Sequence, residues 1–277
     1  MGSPRTIRPS TAGIMSTIDS VPRVEDDGLP LLEDVGIWAL EKYDRVWYYD
    51  QLFTNAMRQQ WDELVYIDLF AGPGYSQLRK RGDIVPGSPL LALRIPNLFD
   101  RYIFCEKEPD YVAALQERVE RDHPDADVRY VPGDVNGNVG RIHSHMPDHG
   151  RERGVLTFCF CDPFDLAPRF ETMRQLTAER KMDVMHVMPL AMDGRRNFYK
   201  TYVKEESDKV DEYLGNRDWR DAWKEAEQRG ERKIARFLAQ QYVGAMVGIE
   251  YLKPDLKNFH PVKAGHLSLY LIGFFSK

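Results

Sequence analysis

Short apolar runs alternate with amphipathic stretches along most of the chain. The runs are nearly continuous in Val, Ile, Leu, Phe, Tyr and Met, and they cover residues 64–70, 101–106, 127–131, 155–162 and 183–190. Continuous hydrophobicity of this length is typical of strands that are buried on both faces of a parallel sheet. We therefore predict five buried strands at these runs.

Amphipathic segments, with apolar positions three and four residues apart, separate the predicted strands. They predict helices at about residues 89–95, 108–121, 136–146 and 168–179. Strands that alternate with helices form a parallel sheet through right-handed crossovers, with helices on both of its faces. The pattern therefore predicts a doubly wound α/β fold that binds ligands at the carboxyl ends of its strands.

The N-terminal part of the chain has a different pattern. Residues 1–28 are rich in Ser, Thr, Pro, Gly and charge, and they predict a disordered leader in which Met15 is an alternative start. An amphipathic helix is predicted over residues 34–61. The remaining residues 29–277 are predicted to form a single domain.

The C-terminal part predicts a helical insertion followed by two strands. Residues 196–247 are strongly charged and mostly helical in pattern, with Trp219 and Trp223 facing the core or a lid. Residues 249–253 and 266–277 predict a final, hairpin-like pair of strands. Together with the five runs above, these strands give a mostly parallel, seven-stranded, Rossmann-like sheet.

Composition and charge narrow the class of protein. The 277 residues are 43% hydrophobic and 29% charged, which excludes wholesale disorder and a fibrous protein. The net charge of −5 argues against a protein that coats nucleic acid through its overall charge, although a local basic patch stays open. Because the chain has neither an 18-residue apolar run nor an apolar N-terminal segment, we expect a cytoplasmic protein without a membrane span.

The end of the first predicted strand carries the strongest chemical signal. Asp68, Phe70, Gly72 and Gly74 belong to the segment Asp-Leu-Phe-Ala-Gly-Pro-Gly. Two glycines one residue apart permit a tight turn and a close approach of backbone to ligand, and the acidic residue can orient the turn or meet a cationic ligand. A nicotinamide-binding G-x-G-x-x-G would need a third glycine where Gln77 stands. An ordinary strand-to-helix turn is the simpler alternative.

Two further carboxylates follow the next strands in order. Glu106 ends the second strand, where a carboxylate can accept both hydroxyls of a ribose, and Asp134 follows the third strand, where it can bind an adenine amino group. Either residue alone is typical of a helix cap. In series they predict a nucleoside pocket, and an inserted loop over residues 75–88 explains the long spacing to Glu106.

The fourth strand ends in Asp162, Pro163 and Phe164. This segment is one proline short of the D/N-P-P-aromatic tetrad of amino-methyltransferases, which it resembles. Asp162 can orient an acceptor amine or accept its proton, and Phe164 can stack on a flat substrate. Capping of the following segment is the alternative role for Asp162.

Basic and sulfur-containing side chains complete the candidate chemistry. Phosphate groups of a nucleic-acid or nucleotide substrate can be bound by Arg79, Lys80, Arg81, Arg195 and Arg196, unless these residues only improve solubility. The three cysteines are Cys105, Cys159 and Cys161. They lack the C-x-x-C spacing of a metal site, so we predict buried structural cysteines and no metal.

The glycine segment resembles motif I of the class I S-adenosylmethionine methyltransferases. Together with GSPLLAL, FCEKEP, GDVN, FCFCDPFDL and LAMDGRRNF, it resembles the three-Cys-motif partner protein family over about residues 35–275. The resemblance implies a methyltransferase-like fold with S-adenosylmethionine as cofactor. By motif match it implies that the cofactor lies at Asp68, Gly72, Gly74, Glu106 and Asp134 and the acceptor at Asp162.

Three hypotheses for function remain at this point. The first is an S-adenosylmethionine-dependent methyltransferase that acts on a nucleobase in DNA, RNA or a nucleotide. The second, implied by the resemblance, is a non-catalytic partner that docks on or regulates a separate three-cysteine protein similar to radical-SAM proteins. The third is a nicotinamide-dependent oxidoreductase, which Gln77 and the additional carboxylates at Asp134 and Asp162 disfavour.

Overall fold

The computed structural model describes residues 21–79, 81–150, 153–190, 207–264 and 267–277. Its strands are β1 (Leu32–Val35), β2 (Glu63–Asp68), β3 (Tyr75–Leu78), β4 (Ile84–Pro86), β5 (Arg101–Glu106), β6 (Val128–Pro132), β7 (Val155–Cys161), β8 (Met182–Met188), β9 (His260–Ala264) and β10 (Leu267–Phe275). Its helices are α1 (Ala39–Met57), α2 (Ser88–Ala92), α3 (Pro109–Asp122), α4 (Val139–His145), α5 (Phe170–Leu176), α6 (Lys209–Leu214), α7 (Trp219–Gln228) and α8 (Ile234–Gly248).

Seven strands form one sheet in the order β6-β5-β2-β7-β8-β10-β9. The pairs from β6 to β8 are parallel, and β10 is antiparallel to both β8 and β9. The chain runs outward from β2 to β6 and then returns to β7 on the other side of β2. This reversal places a topological switch point between the carboxyl ends of β2 and β7, where open α/β sheets bind ligands. The predicted doubly wound, mostly parallel seven-stranded sheet is confirmed.

Helices cover both faces of the sheet because successive side chains of each buried strand point to opposite sides. In β2, Leu64 and Tyr66 pack in the cluster that includes buried residues of α1, α2 and α3. Val65 and Ile67 pack in the second cluster, which includes residues of α4 to α8. This two-sided burial is the physical reason for the continuous apolar runs in the sequence.

The five predicted strands and the helices between them are confirmed to within three residues at each end. The helical insertion is confirmed for its described part, in which Trp219 and Trp223 are buried in the core. The predicted strand at residues 249–253 is wrong. Its apolar signal comes from Tyr251, whose buried ring packs in the core and whose hydroxyl donates to the Met182 carbonyl at 2.9 Å. The strand that pairs with β10 is β9 instead.

The segment before β2 differs from the predicted helix over residues 34–61. The helix α1 begins at Ala39, and the residues before it form β1. The predicted inserted loop over 75–88 contains β3 and β4, which complete a small sheet in the order β1-β3-β4. Strands of three or four residues are too short to show a period in the sequence, which explains the error.

Residues 21–28, which we predicted as part of a disordered leader, are packed against the domain. Val21 is buried, and Val24 forms a β-bridge with Ile84. Asp27 accepts hydrogen bonds from the fully buried Arg118 at 2.6 and 2.9 Å and from Arg121 at 3.0 Å. Burial alone would raise the pKa of Asp27, but these hydrogen bonds outweigh it and hold that pKa at about 2. The leader prediction is therefore wrong for these residues.

The structure also bears on membrane association. Within the described ranges, every helix is too short or too polar to cross a bilayer.

Candidate functional site

A cavity of about 180 Å³ lies at the switch point of the sheet. Three segments meet around it: the turn after β2, the residues that follow β7, and the N-terminal strap formed by β1 and the first turn of α1. Its lining includes Phe70, Gly72, Gly74, Asp162 and Phe164. The structure thus brings the predicted glycine turn and the predicted acceptor residues to one cavity, whereas Asp68, Glu106 and Asp134 do not line it.

The two glycines of the turn are required by its backbone conformation. Gly72 and Gly74 have φ angles of +63° and +95°, a region that side chains with a Cβ rarely adopt. A Cβ at Gly74 would also lie 3.0 Å from side-chain atoms of both Leu90 and Leu115. The turn therefore folds back closely over the start of α2 and faces the cavity with backbone.

Glu106 braces this turn from the neighbouring strand. Its Oε2 accepts the Gly72 amide N–H at 2.8 Å, and its Oε1 accepts the Glu108 amide N–H at 2.8 Å. Each carboxylate oxygen has a further lone pair, so binding of ribose hydroxyls is compatible with these contacts. Since the side chain orders the glycine turn directly, its effect on a ligand extends beyond any contact of its own.

Asp68 lies fully buried at the end of β2. Burial raises its pKa to about 7, although hydrogen bonds from Ser88 and from the Phe70 amide (3.2 Å) oppose this shift, and the nearby Asp162 and Glu106 add to it. A buried carboxylate with no cation among these contacts favours a positively charged group in its vicinity. The residue is thus suited to the cationic end of a ligand at the glycine turn.

Asp134 caps the short 3₁₀ turn that follows β6. Its Oδ1 accepts the Asn136 amide N–H at 2.8 Å, which is the helix-cap role that the sequence left open. Its exposed side chain leaves a role in adenine binding as a prediction. Asn136, which the sequence did not single out, joins this turn to the loop after β7 by donating to the Ala167 carbonyl and accepting from the Arg169 amide.

Asp162 forms an ion pair that the sequence did not predict. Lys42 Nζ of α1 lies 2.6 and 2.9 Å from its two carboxylate oxygens and 4.8 Å from the centre of the Tyr270 ring. The two side chains are only 11% and 13% exposed. Burial alone would lower the pKa of Lys42, but the charge of Asp162 reverses this effect and raises it above its ordinary value. The Lys42 ammonium is therefore charged near neutral pH.

The sequence offered little signal for Lys42. It stands 120 residues from Asp162, and a lysine beside the apolar face of a helix usually extends to solvent.

Phe164, at the rim of the cavity, is 74% exposed, an unusual state for a large apolar ring. Asp165 forms an ion pair with Lys209 outside the cavity lining.

Of the predicted basic residues, Arg79 and Arg81 lie in the described part of the chain, and neither lines the cavity. Arg79 donates to Asp34 at 2.6 Å and lies over the Trp38 ring, in a separate shallow depression. Arg81 is exposed, and the remaining candidates, Lys80, Arg195 and Arg196, lie outside the described residues. Phosphate binding by this group therefore stays a prediction.

The three cysteines are buried, as predicted, and their thiols are free. Burial raises the pKa of Cys105, Cys159 and Cys161 well above the ordinary value. They remain thiols rather than thiolates near neutral pH, which fits a packing role. Within the described part of the chain, no group of three or more His, Cys, Asp or Glu residues is arranged to hold a metal ion.

No protein-family model and no curated protein matches the sequence. Solved structures with a similar shape include an O-methyltransferase from Bacillus cereus in complex with S-adenosylhomocysteine (TM-score 0.44, 10% identity, 83% of this chain and 80% of that chain). Others are a protein from Legionella pneumophila (0.43, 12%, 83% and 83%) and an S-adenosylmethionine-dependent methyltransferase from Clostridium acetobutylicum (0.32, 8%, 54% and 52%). The fold assignment rests on the strand order described above.

Proposed function

We propose that the chain is an S-adenosylmethionine-dependent methyltransferase whose acceptor is a nucleobase in DNA, RNA or a nucleotide. The observation that carries this proposal is the meeting of the glycine turn and Asp162 at one cavity between β2 and β7. One segment suits a nucleoside cofactor, and the other suits an acceptor amine. Transfer between two bound molecules requires both sites to share one cavity.

Each element at the switch point has a role in this proposal. The turn at Gly72 and Gly74 would hold the methionine end of the cofactor with Asp68 beside its positive charge, Glu106 the ribose, and Asp134 the adenine. The bound cofactor would supply an electrophilic methyl group. The backbone conformation of the turn and the bracing by Glu106 fit this role, because both are set before any ligand binds.

The acceptor would bind between Asp162 and Phe164. The carboxylate can accept an N–H of the acceptor and so hold its nitrogen in position, and the exposed Phe164 ring can stack on a flat base. Positioning supplies most of the rate enhancement in such a displacement, since effective molarities of oriented groups are very large.

A second candidate function rests on the same exposed ring. A phenylalanine that is 74% exposed at the rim of a cavity is also what a docking protein would cover. In that case the chain would be a non-catalytic partner of a three-cysteine protein. It would bind the cofactor without transferring its methyl group.

Ligand binding tests the cofactor assignment. S-adenosylhomocysteine at 100 times its dissociation constant should stabilise the folded chain by about 2.7 kcal/mol, whereas NAD should not stabilise it. Thermal unfolding and calorimetric titration measure both effects. Transfer of a tritiated methyl group to DNA, RNA and nucleotide pools then separates the enzyme from the partner. A folded chain that shows no thermal shift at millimolar S-adenosylhomocysteine would refute the cofactor assignment.

We expect the affinity for S-adenosylhomocysteine to rise with pH through Asp68. Its pKa of about 7 means that the carboxyl is mostly protonated at pH 6 and mostly ionised at pH 8. A cationic ligand group binds the ionised form, so the affinity should increase about tenfold between these values and then level off. Asp68→Asn should remove this dependence in calorimetric titrations. A wild-type affinity that is constant from pH 6 to 8 would contradict it.

A further inference from the structure

The ion pair between Lys42 and Asp162 is enclosed by aromatic side chains. The cavity is lined by the rings of Trp38, Tyr43, Phe70, Tyr75, Phe164 and Tyr270. The pair itself is electrically neutral and is the charged feature at the point where the acceptor would bind. The lining also includes the carboxylates of Glu33 and Asp34. A neutral pair beside aromatic rings and two further carboxylates favours an uncharged, flat ligand over an anionic one, since an additional negative charge would have no partner.

Lys42 sets Asp162 apart from two other buried carboxyl groups of the chain. Asp68 has no cation in contact, and burial raises its pKa to about 7. Burial likewise raises the pKa of Asp50 well above its ordinary value, and neither of its oxygens has a hydrogen-bond partner among the described residues. In this protein a buried carboxyl without an adjacent cation therefore tends to hold its proton, whereas Asp162 has the ammonium of Lys42 at 2.6 Å.

On the basis of the proposed function, we propose that Lys42 is a positioning residue that balances the charge of the Asp162 carboxylate and fixes its orientation, so that the site selects a flat, uncharged ring bearing an N–H group. Asp162 accepts that N–H. When the acceptor nitrogen forms its new bond to the methyl carbon, the bond from that carbon to sulfur breaks and its electron pair stays on sulfur. The proton that the nitrogen gives up passes to the Asp162 carboxylate and then to water.

Other titratable groups also face the ion pair and must be kept constant in a test. Tyr43 of α1, Tyr270 of β10, Cys161 of β7 and Asp68 of β2 interact with it electrostatically. Burial raises the pKa of Tyr43 above its ordinary value, so its hydroxyl stays neutral. Burial raises the pKa of Asp68 to about 7 in the wild-type protein, within the pH range of the test. The informative quantity is therefore the difference between variants at each pH, rather than the pH profile of one protein.

The variants are Lys42→Met, which removes the cation, and Lys42→Arg, which retains it. In protein saturated with S-adenosylhomocysteine, calorimetry should show that Lys42→Met binds adenosine at least tenfold more weakly than wild type at pH 6. The gap should narrow by pH 9, as Asp162 loses its proton. Lys42→Arg should stay within a few-fold of wild type at both pH values, and the matched surface variant Lys253→Met should equal wild type.

Two probes test the acceptor class in the same experiment. N6,N6-dimethyladenosine lacks the N–H and should bind at least tenfold more weakly than adenosine to wild type. The difference should be smaller in Asp162→Asn, whose amide keeps one neutral acceptor oxygen. Benzoate, which is flat but anionic, should not bind. Tighter binding of either probe than of adenosine or cytidine would overturn the assigned class.

If Lys42→Met alone does not fold, comparison of Asp162→Asn with the double variant Lys42→Met/Asp162→Asn keeps the proposal testable. If Lys42 acts through Asp162, then adding Lys42→Met to Asp162→Asn should have no further effect on methyl transfer. Both charges of the ion pair are removed in this double variant. A further loss of methyl transfer in the double variant, or wild-type behaviour of Lys42→Met at every pH, would overturn the positioning role. The proposed methyltransferase function would still stand. If wild type binds S-adenosylhomocysteine but transfers no methyl group to any acceptor, the proposed function fails instead.

Discussion

Replacement of Asp162 by Asn is expected to lower methyl transfer by about 10²–10⁴, the usual size of a positioned acid–base contribution. The affinity for S-adenosylhomocysteine should change by no more than a few-fold, because the substitution is nearly isosteric and the glycine turn is untouched. The amide of the introduced Asn keeps one acceptor oxygen. It lacks the negative charge of the Asp162 carboxylate, which pairs with Lys42 Nζ at 2.6 Å. Single-turnover transfer of a tritiated methyl group, together with calorimetric titration of the same preparation, measures both quantities.

The matched control for this prediction is Asp165→Asn. Asp165 lies three residues further along the same loop, where it forms an ion pair with Lys209 rather than lining the cavity. It should therefore retain near-wild-type transfer. Equal activity of Asp162→Asn and wild type would show that Asp162 has only the capping role that its position at the end of a strand also permits.

Replacement of Glu106 by Ala should weaken binding of S-adenosylhomocysteine by about tenfold to a hundredfold. Loss of a charged hydrogen-bond acceptor typically costs about 1.5–3 kcal/mol, and this range converts to such a change in affinity. The structure adds a second reason, because the same carboxylate accepts the Gly72 amide at 2.8 Å and so orders the glycine turn. Calorimetric titration and thermal unfolding of the free protein separate the loss of affinity from the loss of stability.

Two further variants identify which oxygen contacts matter. Glu106→Gln retains one acceptor oxygen for the turn and should lose less affinity than Glu106→Ala. Glu108 lies in the same loop and contacts Glu106 through its backbone amide rather than its side chain. The variant Glu108→Ala should therefore bind the ligand as wild type does. An affinity of Glu106→Ala equal to that of wild type would assign the residue to the fold alone.

The central sheet was predictable because its strands are buried on both faces. Runs such as 155–162 consist almost entirely of apolar residues, and each observed strand lies within two residues of its predicted ends. The small β1-β3-β4 sheet was not predictable, since each of its strands is three or four residues long. At Tyr251 a strand was predicted where the structure has none. Its buried side chain anchors an irregular segment, and in the sequence this segment resembles a strand.

The candidate site likewise contains residues that were predictable from the sequence and residues that were not. Residues at the carboxyl ends of β2 and β7 were predictable, because the order of parallel strands brings those ends together. Lys42 and Arg118 were not, since each acts through partners roughly 90 to 120 residues away that no local pattern connects to it. The roles of Glu106 and Asp134 toward a ligand remain predictions, although their contacts within the protein are now described.

The contacts of the buried Arg118 have a consequence for the assembly of the site. Its guanidinium donates to Asp27 and to the Pro30 carbonyl, directly before the strap, and to the Pro73 carbonyl of the glycine turn. One side chain therefore joins the segment that leads into the strap to the glycine turn. Segments that dock on a domain by few contacts open without global unfolding. The central sheet can therefore be fully formed while the cavity is not, and amide exchange in the strap reports on assembly of the site independently of the core.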